Sequence, residues 1–328
     1  MSPKGESVAF RRLRSGAGYT LVEVMAALVI LAIAMIAVFA TFTTQQQSFT
    51  AQSRVAEMQH NLRIAVDYMS RDLRMAGYGI PDNVAVPAGA NQAGFASIRT
   101  LVALDNSTGP DQIYILYRYD MDANQPATVN TVAMTGAGSV TVDNAAGFLS
   151  TGGELVVVAD QATADVFQTT SVAGNVLTFG GIYGTIGHTL YGVGPPPATV
   201  AKARFVRYYI DRSDPNHPTL MVDRNIPGQA AQPVADDIED LQLTYGVDTN
   251  GDGIVDGAVG SWSSTPPANL TQIRQLRLML MARAGFPDRN WSETRPALGN
   301  HAAGASTDGY RRRISDVVID LRNSGAGL

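Results

Sequence analysis

The sequence contains no cysteine, which removes disulfides, thiolate zinc sites, iron–sulfur clusters and a Cys nucleophile together. Charge is sparse: 16% of the 328 residues are Asp, Glu, Lys or Arg, and 24 basic against 29 acidic side chains leave a formal net charge of −5. With a pI near 5.4 the chain lacks the positive field that draws proteins onto phosphate backbones, so general nucleic-acid binding is not expected. The histidines, His60, His188, His217 and His301, are scattered without His-Glu-x-x-His spacing, and each reads as a surface residue. Neither a Gly-x-Ser-x-Gly elbow nor a Gly-Lys-Ser/Thr phosphate loop occurs. Gly192-x-Gly194 runs into prolines that cannot open a dinucleotide-binding helix. What remains is 45% hydrophobic with 32 glycines and 16 prolines, the composition of a loop-rich, largely β chain with a buried core.

The N-terminus departs from these averages. Lys4, Arg11, Arg12 and Arg14 face a single acid, Glu6, and the basic stretch ends at Gly18. Val24 to Phe42 carries no charge over 19 residues, about 28 Å of helix against roughly 30 Å of hydrocarbon. The segment can span a membrane once, with residues 1–18 cytoplasmic by the positive-inside rule. Thr41, Thr43 and Gln45 to Gln47 follow it where a secretory leader would place small residues for cleavage, so the span is expected to be retained. One carboxylate, Glu23, stands at its entrance and asks for a partner.

Gly18-Tyr19-Thr20-Leu21-Val22-Glu23-Val24-Met25 resembles the class III signal of type IV prepilins and pseudopilins. The resemblance implies cleavage after Gly18 by a prepilin peptidase, N-methylation of Tyr19, and an assembly role for Glu23; Tyr19 stands where the family usually has Phe. The chemistry agrees, because cleavage exposes an α-amino group four residues before Glu23. Such an amine on one subunit can neutralise the carboxylate of another, a buried pair that sets register more than it adds stability.

Downstream, Val55, Met58, Leu62, Ala65, Met69, Leu73 and Ala76 recur at helical spacing, with Arg54, Glu57, Arg63, Asp67, Arg71 and Arg74 on the other faces. One helix is therefore expected over 19–76, membrane-spanning over about 24–42, and stopped by Gly77 and Gly79-Ile80-Pro81. Residues 77–328 form the expected β-rich globular domain. Its candidate strands are Ile113–Tyr119, Glu154–Ala159, Val166–Ser171, Val176–Phe179, Ala203–Ile210, Leu220–Asp223, Leu241–Val247, Leu276–Ala282 and Val317–Leu321. In the eighth, Leu276, Leu278, Leu280 and Ala282 predict one face in the core. A β insertion is expected over about 130–197, closed by Gly194-Pro195-Pro196-Pro197 as a linker. The fold class is α+β, with a long N-terminal helix packed on an antiparallel β domain, as in type IV pilins.

Ala235 to Asp248 and Asp308 to Arg313 with Val317 to Asn323 are similar to segments of PilW-like minor pilins, the first implying a short helix running into a strand. In that reading Asp236, Asp237, Glu239 and Asp240 form a solvated helix start. Asp248-Thr249-Asn250-Gly251-Asp252-Gly253-Ile254-Val255-Asp256 carries the spacing of a calcium loop: oxygens from Asp248, Asn250, Asp252 and Asp256, the Ile254 carbonyl, and glycine at position six. Val259 stands where a bidentate Glu belongs, so a structural Ca2+ would bind modestly; a polar hairpin loop is the alternative. Arg311-Arg312-Arg313 would alternate faces in a strand and make a poor basic patch.

Nothing here assembles an enzyme site. The resemblance implies a minor pilin with structural or priming duty in a type IV pilus. Its expected partners are a prepilin peptidase, other minor and major pilins, the inner-membrane assembly machinery and the inner membrane itself. Before assembly it would be a single-pass inner-membrane protein, and afterwards part of a periplasmic or extracellular pilus. A pseudopilin of type II secretion and a pilus-displayed adhesin or binding module are the alternatives.

Overall fold

The computed structural model describes residues 18–80, 86–87, 97–98, 100–119, 127–128, 138–159, 164–180, 198–226, 228–259, 262–267 and 269–323. The chain divides into two compact units, residues 1–53 and 54–328. One helix, α1 (Leu21–Met75), runs through the boundary.

In the first unit α1 is exposed along its apolar run, from Val24 at 45% to Phe42 at 54%. Among the described residues it is the one helix long and apolar enough to cross a membrane. In the second unit the same helix changes character. Met58, Leu62, Ala65, Met69, Leu73 and Ala76 enter the main core with Val55 at its margin, the stripe expected from the spacing. The helix stops where Gly77 and Gly79 take φ of 75° and 64°, a left-handed backbone that L side chains disfavour. A Cβ at Gly79 would also meet Arg118 Cδ at 2.7 Å.

The principal strands are β1 (Leu101–Leu104), β2 (Gln112–Arg118), β3 (Ser139–Thr141), β4 (Leu155–Ala159), β5 (Ala164–Ala173), β6 (Val176–Phe179), β7 (Thr199–Asp211), β8 (Thr219–Asp223), β9 (Gln232–Ala235), β10 (Ile238–Val247), β11 (Ile273–Arg283) and β12 (Arg312–Asp320). All pair antiparallel. The larger sheet runs β9-β8-β7-β4-β5-β6-β3, with β2 also on β7 and β1 on β2. The smaller sheet runs β10-β11-β12. Ile113, Ile115, Val206 and Tyr208 of the first and Leu241, Leu243, Leu276 and Leu278 of the second share one core with α1.

Each candidate strand appears, usually a few residues longer, whereas β1, β3 and β9 were not foreseen. The expected insertion is an extension of the large sheet rather than a separate body. Thr199–Lys202 of β7 pairs with Val156–Ala159 of β4, while Ala203–Tyr208 of the same strand pairs with Ile113–Arg118 of β2. Phe148, Phe167, Leu177 and Val200 give that extension its own core. The expected linker Gly194–Pro197 and the leader 1–17 lie outside the described residues.

Two further expectations are corrected. β11 is covered on both faces: Leu276, Leu278, Leu280 and Ala282 enter the main core, and Met279 and Met281 pack on Leu298 opposite. The segment from Ala235 has no short helix. β9 turns directly into β10 through Asp236-Asp237, with Asp237 at φ 58°, a conformation that Asp tolerates better than most residues.

Candidate functional site

The segment expected to carry the processing and assembly residues begins the helix. Gly18 and Tyr19 precede α1 and are exposed, Tyr19 at 87%. The Thr20 hydroxyl accepts the Glu23 amide at 3.3 Å, while Glu23 Oε2 accepts the Thr20 amide at 3.0 Å and the Thr20 hydroxyl at 3.1 Å. This reciprocal box satisfies helix amides that otherwise lack partners, and it sets a negative charge at the positive end of the helix. The sequence reading gave Glu23 an intermolecular role and missed its local one. The Thr-x-x-Glu spacing was the available signal.

The loop from Asp248 to Asp256 is ordered by its own side chains. Asp248 Oδ1 accepts the Gly251 amide at 2.6 Å, and Oδ2 accepts the Gly253 amide at 2.9 Å and Arg274 Nε at 3.1 Å. Burial pushes the Asp248 carboxyl up, but these amides and Arg274 outweigh it and hold the group below the usual carboxylate range. Asp256 Oδ2 accepts the Thr249 amide at 2.8 Å and the Thr249 hydroxyl, which hold its carboxyl low. Asn250 Oδ1 accepts the Asp252 amide at 2.9 Å, and Asp252 Oδ1 accepts the Ile254 amide at 2.8 Å. Among the described residues no group of three or more His, Asp or Glu side chains is arranged to hold a metal ion. The donor set fits a cation in part: Asn250, Asp252 and Ile254 are exposed, whereas Asp248 already neutralises Arg274.

The acidic run is not a solvated helix start. Asp236 is exposed, but Asp237 is 7% and Asp240 0% exposed. Asp240 Oδ2 takes His301 Nδ1 at 2.7 Å and Arg295 Nη1 at 3.1 Å, and Asp237 takes His217 Nδ1 at 3.0 Å. Two of the scattered histidines are thus structural partners of buried acids, brought together only by folding. Burial pushes the Asp240 carboxyl up, with His301, Gln242 and Arg295 opposing. Nearby Asp111 is raised by burial to about 7, against the Asn106 and Leu243 amides it accepts. Arg312 is buried between Glu239 and Asp308, each at 2.6 Å, and Arg311 pairs with Asp288 at 3.0 Å, so these arginines are engaged in ion pairs and form no basic patch.

Three comparisons bear on these residues. The family described as Type IV Pilus-assembly protein W matches residues 207–323. That described as Prepilin peptidase-dependent protein B matches residues 51–168. The Prokaryotic N-terminal methylation motif matches residues 13–39, across Gly18, Tyr19 and Glu23. The chain is a type IV prepilin-like, PilW-like protein. The PilW-like match spans β8 and β9 of the larger sheet, the whole smaller sheet β10-β11-β12, and the Arg312 and Asp240 clusters. A type IV-like pilin from Thermus thermophilus is similar in structure at 12% identity and a TM-score of 0.39, over 81% of the PilW-like chain and 97% of that pilin. No protein of curated function matches it in sequence.

Proposed function

We propose that this chain is a minor pilin, a structural or priming subunit of a type IV pilus with no chemistry of its own. The observation that carries the reading is the methylation motif laid over an exposed apolar helix capped by Thr20 and carrying Glu23 in its first turn. In this reading a prepilin peptidase cuts after Gly18, Tyr19 becomes the methylated first residue, and Glu23 meets the new amine of a neighbouring subunit. The apolar helix holds the chain in the inner membrane and then packs among other pilins, delivered by the inner-membrane assembly machinery. Bringing Glu23 into that apolar setting is unfavourable unless an amine replaces the donors of Thr20, so docking in the wrong register is disfavoured.

The test is the intact mass and N-terminal sequence of the chain coexpressed with a prepilin peptidase, beside Gly18→Ala. A chain starting at methylated Tyr19, lost in the variant, is expected. An uncut chain beginning near Met1 overturns the reading and leaves a membrane-anchored β domain.

The loop at 248–256 supports a second, smaller reading. With Asn250 and Asp252 exposed at positions three and five, a structural Ca2+ would be held by Asp248, Asn250, Asp252, the Ile254 carbonyl and Asp256. Val259 supplies no twelfth-position carboxylate and Arg274 competes for Asp248, so affinity falls in the millimolar class of extracellular modules, on the order of 10⁻⁴–10⁻³ M.

A further inference from the structure

Among the described residues, three buried polar atoms on one side of β10 have no hydrogen-bond partner: Gln242 Oε1, Thr244 Oγ1 and Trp262 Nε1. Gln242 is 1% and Thr244 9% exposed. They stand two residues apart on one strand, so both side chains leave the face turned away from the helix, the face that Met279 and Met281 share on β11. Gly246 continues the row and Trp262 lies across it: a Cβ at Gly246 would meet the indole Cζ2 at 2.7 Å.

The Gln242 carboxamide cannot be turned to relieve its oxygen. Its Nε2 donates to the Gly109 carbonyl at 2.8 Å and to Asp240 Oδ1 at 3.3 Å, and a flip would press Oε1 against two acceptors. The row is also roofed. Leu298 packs on Met279 and Met281, and a Cβ at Gly299 would lie 2.9 Å from Gln242 Cβ. Asn300 Nδ2 then ties this roof to Asp105 Oδ1 at 2.7 Å and to Ser264 Oγ at 3.0 Å. Along the strand edge, the Asp111 amide donates to the Leu241 carbonyl at 2.8 Å and the Tyr245 amide to the Ser263 carbonyl at 2.8 Å. Bulk solvent is therefore shut out, and each of the three atoms, if dry, would forfeit its whole hydration. Three such losses on one face of the sheet would remove much of a domain's net stability.

We propose that this strip is a water-binding site holding a short chain of ordered water between Trp262, Thr244 and Gln242. Neighbouring positions on the face are roughly 6.6 Å apart along the strand, too far for a direct hydrogen bond between their side chains and a separation that calls for water between them. The donor pattern gives the chain one direction. The indole N–H donates to a first water, which donates to Thr244 Oγ1. The Thr244 hydroxyl donates to a second water, which donates to Gln242 Oε1. Each of these three atoms is then satisfied, and the loops before β2, after β10 and before β12 are joined to the sheet through solvent.

Thr244→Val decides the sign in the full-length chain in detergent, because valine has the shape of threonine without the hydroxyl. If water bridges the strip, the variant melts roughly 3–6 °C lower. Thr244→Ser then stays near wild type, and the losses of Thr244→Val and Trp262→Phe are less than additive. If the strip is dry, Thr244→Val removes an unsatisfied hydroxyl and melts at or above wild type, which overturns the proposal. A high-resolution crystal structure of the wild-type chain decides independently of the variants: density for water beside Thr244 Oγ1 upholds the proposal, and a dry contact there refutes it.

Discussion

Replacing Tyr208 by Phe removes one oxygen from the seam between α1 and the large sheet. That oxygen donates to Asp72 Oδ2 at 2.5 Å, with Tyr208 0% and Asp72 9% exposed. Burial, reinforced by the Asp72 charge, pushes the Tyr208 hydroxyl far above its ordinary range, so it serves as a donor at every accessible pH. A hydrogen bond to a charged acceptor contributes about 1.5–3 kcal/mol, and leaving that acceptor buried without its donor adds to the loss. Phe keeps the ring and opens no cavity, so the polar contribution is isolated. About 3 kcal/mol is expected, a fall of roughly 6–12 °C in melting temperature for a domain of this size. Urea and thermal unfolding of the full-length chain in detergent would measure it. Asp72→Asn keeps an acceptor oxygen and should lose less, and the double variant should fall short of the sum by about 1 kcal/mol or more. A Tyr208→Phe shift below about 2 °C, or an additive cycle, would refute the argument that this bond fastens the helix to the sheet.

Arg312→Met should cost about 3 kcal/mol in the same assay, because it removes a buried guanidinium and strands Glu239, whose side chain is 12% exposed; a loss under about 1 kcal/mol would show that the ion pairs of Arg312 are not needed. Asp111 titrates from 3.8 unfolded to about 7 folded, so between those values the folded chain keeps a proton that the unfolded chain has lost. Stability should therefore fall as pH rises through that window, by at most about 1.4 kcal/mol per unit; Asp111→Asn should flatten the profile, and an unchanged profile would exclude Asp111 as its source. Calcium near 1 mM should raise the melting temperature of the wild-type chain slightly, and more in Arg274→Gln, whose competing guanidinium is gone. Calorimetric titration with no heat in either chain would dismiss the cation.

Local patterns made much of this fold readable. The heptad-like stripe from Val55 to Ala76 announced a helix with one buried face, and the alternation in Leu276–Ala282 announced a strand. The same alternation misjudged β11's second face, since Met279 and Met281 are covered by Leu298, a residue 17 or more positions away that no periodicity links to them. His217 and His301 looked isolated for a similar reason: their partners Asp237 and Asp240 lie 20 and 61 residues distant. The acidic run read as a solvated helix start because charge density favours that reading, whereas Asp237 at positive φ makes it a turn.

The sequence by itself determined the features that depend on neighbours along the chain. These are the uncharged span after Glu23, the Thr20–Glu23 spacing that caps it, the glycines that end α1, and the likeness at Gly18 and Tyr19. Each follows from residues within a turn or two of helix, where spacing alone fixes geometry. Tertiary structure alone decided which carboxylates are buried. Asp72, Asp111 and Asp240 differ little in sequence from their exposed neighbours, and only the folded packing supplies Tyr208, the Leu243 amide and His301 with Arg295 as their partners. A buried carboxylate persists where the fold provides such donors, and those donors come from distant positions that no local pattern encodes.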